Sequence, residues 1–166
     1  MKIIYLAAYK AFHSNYNIIY QDINGKRDLD GDMLDIDLSF YDILIATPPC
    51  NYYSRANYRR EKSVYSQNTK DLLPKIIDKF ILTGKPFIVE NVINKPLMNK
   101  YKLFDKNCFV YFIGRHTYWT NIFLPSNILQ EAEIVSNIKF LPQSKRQGGK
   151  NVYYVIEQFL ELVYGN

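Results

Sequence analysis

The stretch Tyr41 to Cys50, YDILIATPPC, decides the fold class of this chain. Its apolar run, Ile43 to Ala46, predicts a short buried strand. Pro48 and Pro49 follow, and because proline lacks a backbone donor and fixes φ, the chain cannot continue as a paired strand. Cys50 therefore lies on a stiff turn just past the carboxyl end of a strand. In open α/β sheets, ligands bind at this end of the strands.

The rest of the chain alternates short apolar segments with segments of helical length. The predicted strands are Lys2–Ala8, Ile18–Ile23, Phe40–Ala46, Phe87–Val92 and Phe109–Ile113, with a shorter element at 31–36. Helical spacing of apolar residues predicts helices over Ser66–Thr83 and Asn151–Val163. This alternation is typical of an α/β fold with a mostly parallel central sheet flanked by helices.

Length and composition limit the function classes. The 166 residues predict one domain, and an apolar content of 48% is ample for a core. The net charge of +5 favours, mildly, a polyanionic partner such as nucleic acid. The two cysteines form neither a disulfide framework nor a metal-ligand pattern, so no metal is expected. The N-terminal apolar run is too short for a signal peptide or a membrane span, which predicts a cytoplasmic protein with no membrane partner.

A lone cysteine such as Cys50 is more often a buried, inert residue than a reactive one. Two features favour reactivity here. The diproline presents the thiol at a strand end, and Arg55, Arg59 and Arg60 follow it closely. Nearby cations favour the thiolate, which is the reactive form.

Two motifs resemble those of the DNA (cytosine-5)-methyltransferases, in a compact, phage-like form. The first is Pro48–Ser54, PPCNYYS, which is similar to the proline-cysteine motif of that family. The second is Pro86–Val92, PFIVENV, which carries the family's Glu-Asn-Val at the end of another predicted strand. The resemblance implies a Rossmann-like class I methyltransferase fold over residues 1–166, as a single minimal catalytic domain.

The resemblance also implies catalytic roles for three residues. Cys50 would add covalently to carbon 6 of a cytosine, and Glu90 would hydrogen-bond or protonate ring nitrogen 3. Arg115 lies in Gly114–Asn121, GRHTYWTN, which is similar to the family's arginine motif and would hold the base, although Thr117 replaces the second arginine. The alternative interpretations are a solvated carboxylate for Glu90 and a surface ion pair for Arg115.

The family's methyl donor is S-adenosylmethionine, and the resemblance implies where it would bind. The glycine-rich turn after the first strand is replaced here by Ala7 and Ala8. Asp22 would bind the ribose hydroxyls, and Asp32 the adenine amino group. Asn151 lies in a segment that matches the last motif of the family only in part and that comes before the closing helix. For Asp22, a turn-forming role is the alternative.

DNA is the implied partner, and its target base must be flipped out of the duplex. The loop after Cys50 is basic, with tyrosines interleaved, so bases could stack on it and phosphates contact it. The DNA-binding residues predicted in this loop are Ser54, Arg55, Arg59, Arg60 and Lys62, and a solvated charged loop is the alternative. Only residues 122–147 are available as a target-recognition segment, so a partner protein could supply specificity.

Three hypotheses follow from the sequence. The first is a cytosine-5 methyltransferase acting in a bacterial cytoplasm or a phage-infected host. The second is a catalytically weak or inactive relative that binds DNA or a regulatory partner through the same fold. The third is one subunit of a split methyltransferase.

Overall fold

Six strands form one sheet in the computed structural model, which describes residues 1–8, 14–24, 28–136 and 149–165. The strands are β1 (Ile3–Leu6), β2 (Ile18–Tyr20), β3 (Ile43–Ala46), β4 (Phe87–Val92), β5 (Phe109–Ile113) and β6 (His116–Thr120). The helices are α1 (Val64–Thr69), α2 (Leu72–Thr83), α3 (Lys95–Lys100), α4 (Ser126–Ser136) and α5 (Gly149–Tyr164). Two short 3-10 turns, Met33–Asp35 and Leu38–Phe40, connect β2 to β3.

The strand order is β2-β1-β3-β4-β6-β5, and the sheet is mixed. Strands β2, β1, β3 and β4 pair in parallel, whereas β6 is antiparallel to both β4 and β5. The predicted α/β class is therefore confirmed, and the predicted parallel pairing holds for four strands. The sequence prediction missed β6, although its residues HTYWT include the Thr, Tyr and Trp that favour strands.

Helices cover both faces of the sheet because the side chains of each strand alternate between two cores. On one face, called here the α2 face, Ile4, Leu44 and Phe87 belong to the same core as Ile77 and Phe80 of α2. On the other face, called the α5 face, Ile3, Ile43 and Ile88 share a core with Ile156 and Phe159 of α5. This three-layer arrangement leaves the carboxyl ends of the parallel strands at one edge of the sheet.

The helix predicted over Ser66–Thr83 is divided into α1 and α2. The reason is Pro74, whose ring would clash with the carbonyl of Lys70 in a continuous helix. The helix therefore restarts at Leu72, with Pro74 in its first turn, where a missing N–H costs little. The Lys70 carbonyl accepts a hydrogen bond from the buried Tyr53 hydroxyl at 2.9 Å instead. Gly84 ends α2 in the left-handed conformation that glycine adopts readily at the end of a helix.

Lysines of the α2 face hold the two 3-10 turns in place. Lys79 Nζ donates to the carbonyls of Leu34 and Ile36 at 2.7 and 2.8 Å. Lys85 Nζ donates to the carbonyl of Leu38 at 2.7 Å. The segment between β2 and β3 is thus fixed to the body of the protein largely through side chains.

Within the described part of the chain, none of the helices combines the length and apolar character needed to cross a membrane.

Candidate active site at the carboxyl ends of the parallel strands

The switch point of the sheet lies between β1 and β3, because the chain runs outward from this pair in both directions. Thr47 joins the two strand ends at this crevice. Its backbone N–H donates to the Leu6 carbonyl at 3.2 Å, and its hydroxyl donates to the Ala7 carbonyl at 3.1 Å. The buried Tyr5 hydroxyl lies 3.0 Å from the same Thr47 oxygen. Open α/β sheets bind their ligands at such a switch point.

Cys50 follows the end of β3, Glu90 lies near the end of the neighbouring β4, and Asn91 links the two strand ends. Asn91 is buried, and its Nδ2 donates to the Pro48 carbonyl at 3.2 Å. The Cys50 carbonyl accepts from the N–H groups of Tyr53 and Ser54, which closes a turn immediately after the cysteine. The diproline segment is therefore fixed from β4 as well as from its own sequence, with Cys50 exposed.

The environment of Cys50 raises the pKa of its thiol. The larger cause is desolvation, because surrounding protein displaces water from the sulfur although the residue as a whole is exposed. The second cause is the negative charge of Glu90. The expectation that nearby arginines would favour the thiolate is therefore wrong for this arrangement, in which a carboxylate is the influential charge.

Glu90 is paired with a residue that the sequence interpretation did not single out. Its Oε1 lies 2.7 Å from Nδ1 of His116, and the two side chains are only 12% and 15% exposed. In the register of β4 and β6, Glu90 pairs with Tyr118 and Val92 with His116. Alternation then brings the side chains of Glu90, His116 and Tyr118 to the α5 face. The missed signal was the period-2 alternation of HTYWT, which places His116 and Tyr118 on one face.

The two positions of the predicted arginine motif are Arg115 and Thr117, on either side of His116 in the sequence. Arg115 is exposed in the turn between β5 and β6, and its backbone carbonyl accepts from the Ile93 N–H at 3.0 Å. Thr117 is buried, with its hydroxyl directed to the Val92 carbonyl at 3.2 Å. The residue between them, His116, is the one in contact with Glu90. The role of Arg115 stays a prediction.

The turn after β1 replaces a glycine-rich sequence with a strained alanine. Ala7 has a φ of 54°, in the left-handed region that glycine adopts readily. The buried Gln21, another residue the sequence prediction missed, holds this turn. Its Oε1 accepts from the Ala7 N–H at 2.9 Å, and its Nε2 donates to the Gly31 carbonyl. Gln21 therefore ties the ends of β1 and β2 to the segment that carries Asp32.

The remaining predicted cofactor residues are Ala8, Asp22, Asp32 and Asn151. Ala8 is buried, and its N–H donates to the Gln21 carbonyl at 2.9 Å. Asp22 is partly exposed after β2. Asp32 is exposed and accepts from the Leu34 N–H at 2.9 Å, which caps the first 3-10 turn. Asn151 lies in the first turn of α5. The structure thus brings Ala7, Ala8 and the region of Asp22 and Asp32 together through Gln21.

The loop after Cys50 is built around its tyrosines and one arginine. Tyr52 and Tyr53 are 1% exposed, so these two tyrosines of the loop are core residues and are not open to stacking by bases. Arg60 donates from Nε to the Tyr52 carbonyl and from Nη2 to the Ser54 carbonyl, both at 2.8 Å. Its guanidinium is therefore committed to the loop backbone rather than presented to a ligand. Glu61 accepts from the Tyr52 hydroxyl at 2.9 Å.

The outer surface of this loop remains basic. Arg55, Arg59 and Lys62 are exposed, and Ser54 is half-buried at the base of the loop. Tyr58 is 95% exposed and borders an open groove of about 590 Å³. The groove is lined by Tyr58, Arg59, Glu61, Lys62 and Ser63. Tyr58 is therefore the tyrosine of this loop that is available for stacking.

Half of the predicted target-recognition segment 122–147 belongs to the folded body. Leu124 is buried, and α4 contributes Ile128 and Ala132 to the interior. Residues 137–147, with Lys139, Lys145 and Arg146, lie outside the described residues.

Comparison of the chain with protein-family models, with curated proteins and with solved structures found no match in any of the three. A functional hypothesis therefore depends on the sequence motifs and on the geometry of the strand ends.

Proposed function

We propose that this protein is a DNA cytosine-5 methyltransferase with a Rossmann-like class I methyltransferase fold. The observation that carries the proposal is the hydrogen bond of 3.2 Å from Asn91 Nδ2 to the Pro48 carbonyl. It joins the Pro-Pro-Cys turn to the Glu-Asn-Val strand, so that a nucleophile just past the end of β3 is tied to the strand that carries a carboxyl group near its own end. Four parallel strands with an antiparallel hairpin at one side are compatible with that fold.

The chemistry requires a nucleophile at carbon 6 and a proton at nitrogen 3. The Cys50 thiol first loses its proton to solvent, and the thiolate sulfur then forms a bond to carbon 6. The electrons of the carbon 5–carbon 6 double bond shift through the ring, and nitrogen 3 takes a proton from Glu90. The product is a neutral enamine with a nucleophilic carbon 5, and Glu90 is left as a carboxylate. Because the pKa of the free Cys50 thiol is raised, only a small fraction of it is thiolate at neutral pH, so this first deprotonation is part of the barrier.

The methyl group would come from S-adenosylmethionine, and the residues at the switch point fit a ligand of this kind. The left-handed Ala7 turns the backbone at the end of β1, where close approach to a ligand is needed. Asp22 follows Gln21, and Asp32 follows Gly31, whose carbonyl Gln21 contacts, so these two residues offer carboxylates for hydroxyl and amino groups of a nucleoside. Ala8 and Asn151 complete the residues proposed to line this site.

DNA is the proposed partner. Arg55, Arg59 and Lys62 project from the loop that follows Cys50, and each can neutralise phosphate. They belong to the loop that follows Cys50, which favours a strand held near the reacting base, and this base must leave the duplex. The proposed setting is the cytoplasm of a bacterium or of a phage-infected host, where such DNA is accessible.

The decisive experiment is nucleoside mass spectrometry. Wild type and Cys50→Ser are expressed in a bacterial strain without its own cytosine methyltransferases, and the DNA is digested. We expect 5-methylcytosine with the wild type and none with Cys50→Ser, while Cys108→Ser serves as the matched control and retains activity. Soluble wild-type protein that yields no 5-methylcytosine and does not bind S-adenosylmethionine would overturn the proposal.

A second candidate function is DNA binding without methylation. The raised pKa of the Cys50 thiol and the threonine at position 117 favour it. A DNA-binding relative would retard duplex DNA without binding S-adenosylmethionine, and Cys50→Ser would leave its affinity for DNA unchanged. A subunit of a split enzyme would instead gain activity only when a co-encoded partner is supplied.

A further inference from the structure

The Glu90–His116 pair is a feature of the strand ends that the proposed function does not yet use. The nitrogen–oxygen distance of 2.7 Å is short for a neutral hydrogen bond and typical of a charge-assisted one. An ionised carboxylate can only accept, so the proton between the two groups belongs to Nδ1 of His116. The contact fixes one carboxyl oxygen, Oε1, and leaves Oε2 for another partner.

The strand register makes this contact rigid. His116 is the first residue of β6, and the pairing of Val92 with His116 and of Glu90 with Tyr118 fixes both backbones. The His116 ring lies beside the buried Tyr118 ring, with centroids 6.4 Å apart and ring planes tilted by 50°. A carboxylate held by a neighbour on the same sheet keeps its orientation at a smaller entropic cost than a free side chain.

We propose that His116 is a positioning residue for Glu90, an inference that rests on the proposed function. Its Nδ1–H holds Oε1, so that Oε2 is directed at nitrogen 3 of the flipped cytosine. As the cytosine binds, Glu90 takes a proton from solvent on Oε2; when Cys50 then adds to carbon 6, this proton moves to nitrogen 3 and Glu90 becomes a carboxylate again. The hydrogen bond from His116 strengthens as this negative charge forms, so it stabilises the transition state more than the ground state.

The addition step can be followed without the methyl donor. In the enamine, carbon 5 takes a proton from water and then loses its original hydrogen. Elimination of the Cys50 sulfur follows, and Glu90 regains its proton from nitrogen 3. The probe is plasmid DNA labelled with tritium at carbon 5 of cytosine, and the readout is tritium released into water at saturating DNA.

Three substitutions test the role of Nδ1. His116→Ala removes the donor, and we expect exchange to fall roughly 10- to 100-fold, the range for losing a hydrogen bond to a charged group. His116→Asn places an amide nitrogen at the position of Nδ1, and we expect it to restore exchange to within about threefold of wild type. His116→Gln places its amide one bond further out, at the position of Nε2, and should remain as slow as His116→Ala.

The control for general damage is Tyr111→Phe, which removes the hydroxyl that accepts from the Leu124 N–H at 3.0 Å. It disturbs the same hairpin without touching Glu90 and should exchange like wild type. Thermal melting of every variant identifies those that fail to fold. Wild-type exchange by folded His116→Ala, or His116→Asn as slow as His116→Ala, would overturn the inference alone. Wild-type protein with neither exchange nor 5-methylcytosine would overturn the proposed function, and the inference with it.

Discussion

The two walls of the switch-point crevice are built in different ways. On the β3–β4 wall, the distinctive features are side chains, since Cys50, Glu90 and Asn91 each have a defined contact or position. On the β1–β2 wall, the backbone has the unusual shape, and Ala7 adopts a left-handed φ of 54° that Gln21 holds in place. A wall made of reacting side chains tolerates few residue types. A wall defined by its backbone conformation can be formed by other residue types.

Breaking the link within the β3–β4 wall should have the largest effect. Asn91→Ala leaves the Pro48 carbonyl and the Val92 N–H without their side-chain partner, so we expect a loss of about 2 kcal/mol in the free energy of unfolding. Displacement of Cys50 relative to Glu90 should lower methylation about 100-fold. Urea unfolding and nucleoside mass spectrometry measure the two effects.

A matched control lies at the other end of β4. Asn121 also bridges two backbone groups, accepting from the Phe87 N–H at 3.0 Å and donating to the Lys85 carbonyl at 2.9 Å. Asn121→Ala should lower stability by about 1 kcal/mol without a specific loss of methylation. Equal losses of activity in the two variants would contradict a special role for the Asn91 link.

Removing the clamp on the β1–β2 wall should have an intermediate effect. Gln21→Leu preserves bulk but removes the acceptor for the Ala7 N–H and the donor to Gly31. We expect about 1.5 kcal/mol less stability and an affinity for S-adenosylmethionine about tenfold lower, because the turn is less often in its binding conformation. Calorimetric titration measures the affinity. Gln67→Leu removes a hydrogen bond to the Arg60 carbonyl in the loop after Cys50 and should leave the affinity for S-adenosylmethionine unchanged.

Relaxing the strained turn should have a smaller effect, of the opposite sign. Ala7→Gly removes the steric cost of a positive φ but increases the entropy of the unfolded chain, so we expect a net gain of about 0.5 kcal/mol. Ala8→Gly, at a buried neighbour, should instead lose about 1 kcal/mol. If urea midpoints move in the same direction for both, conformational strain at Ala7 is not the explanation.

The smallest expected effect concerns the influence of the Glu90 charge on the pKa of the Cys50 thiol. Desolvation contributes most to the raised pKa of this thiol and Glu90 contributes less, so Glu90→Gln lowers that pKa only partway. A lower pKa means more thiolate at a given pH, and alkylation by iodoacetamide at pH 8 should become about two- to threefold faster. A Cys108→Ser background removes the second thiol, whose burial raises its pKa to about 11. An unchanged alkylation rate would show that Glu90 does not influence the thiol.

The sequence predicted the parts of the fold in which local pattern and tertiary context agree. Strands β4 and β5 have the predicted bounds, Phe87–Val92 and Phe109–Ile113. The division between α1 and α2 was missed because it depends on where Pro74 lies relative to one carbonyl. Strand β6 was missed because its residues were interpreted as a binding motif rather than by their alternation.

In the site, the sequence identified the residues that could react but not those that hold them. Cys50 and Glu90 belong to recognisable motifs, whereas the partners His116 and Gln21 are defined only by strand register and by a turn between distant segments. Basic residues were also predicted as one group, although Arg60 binds the backbone of its own loop. Net charge along a loop does not distinguish a cation that is available from one that is already used.

The lysine contacts of the 3-10 segment have a consequence for hydrogen exchange. Lys79 and Lys85 hold the carbonyls of Leu34, Ile36 and Leu38 from the α2 face. Side-chain hydrogen bonds of this kind open without separating strands from a sheet. We therefore expect the segment that carries Asp32, although Met33 and Leu38 anchor it in the core, to open more readily than the strands. Its amide protons would then exchange with solvent well before those of β3 and β4. A ligand that binds Asp32 would selectively slow the exchange of these amide protons.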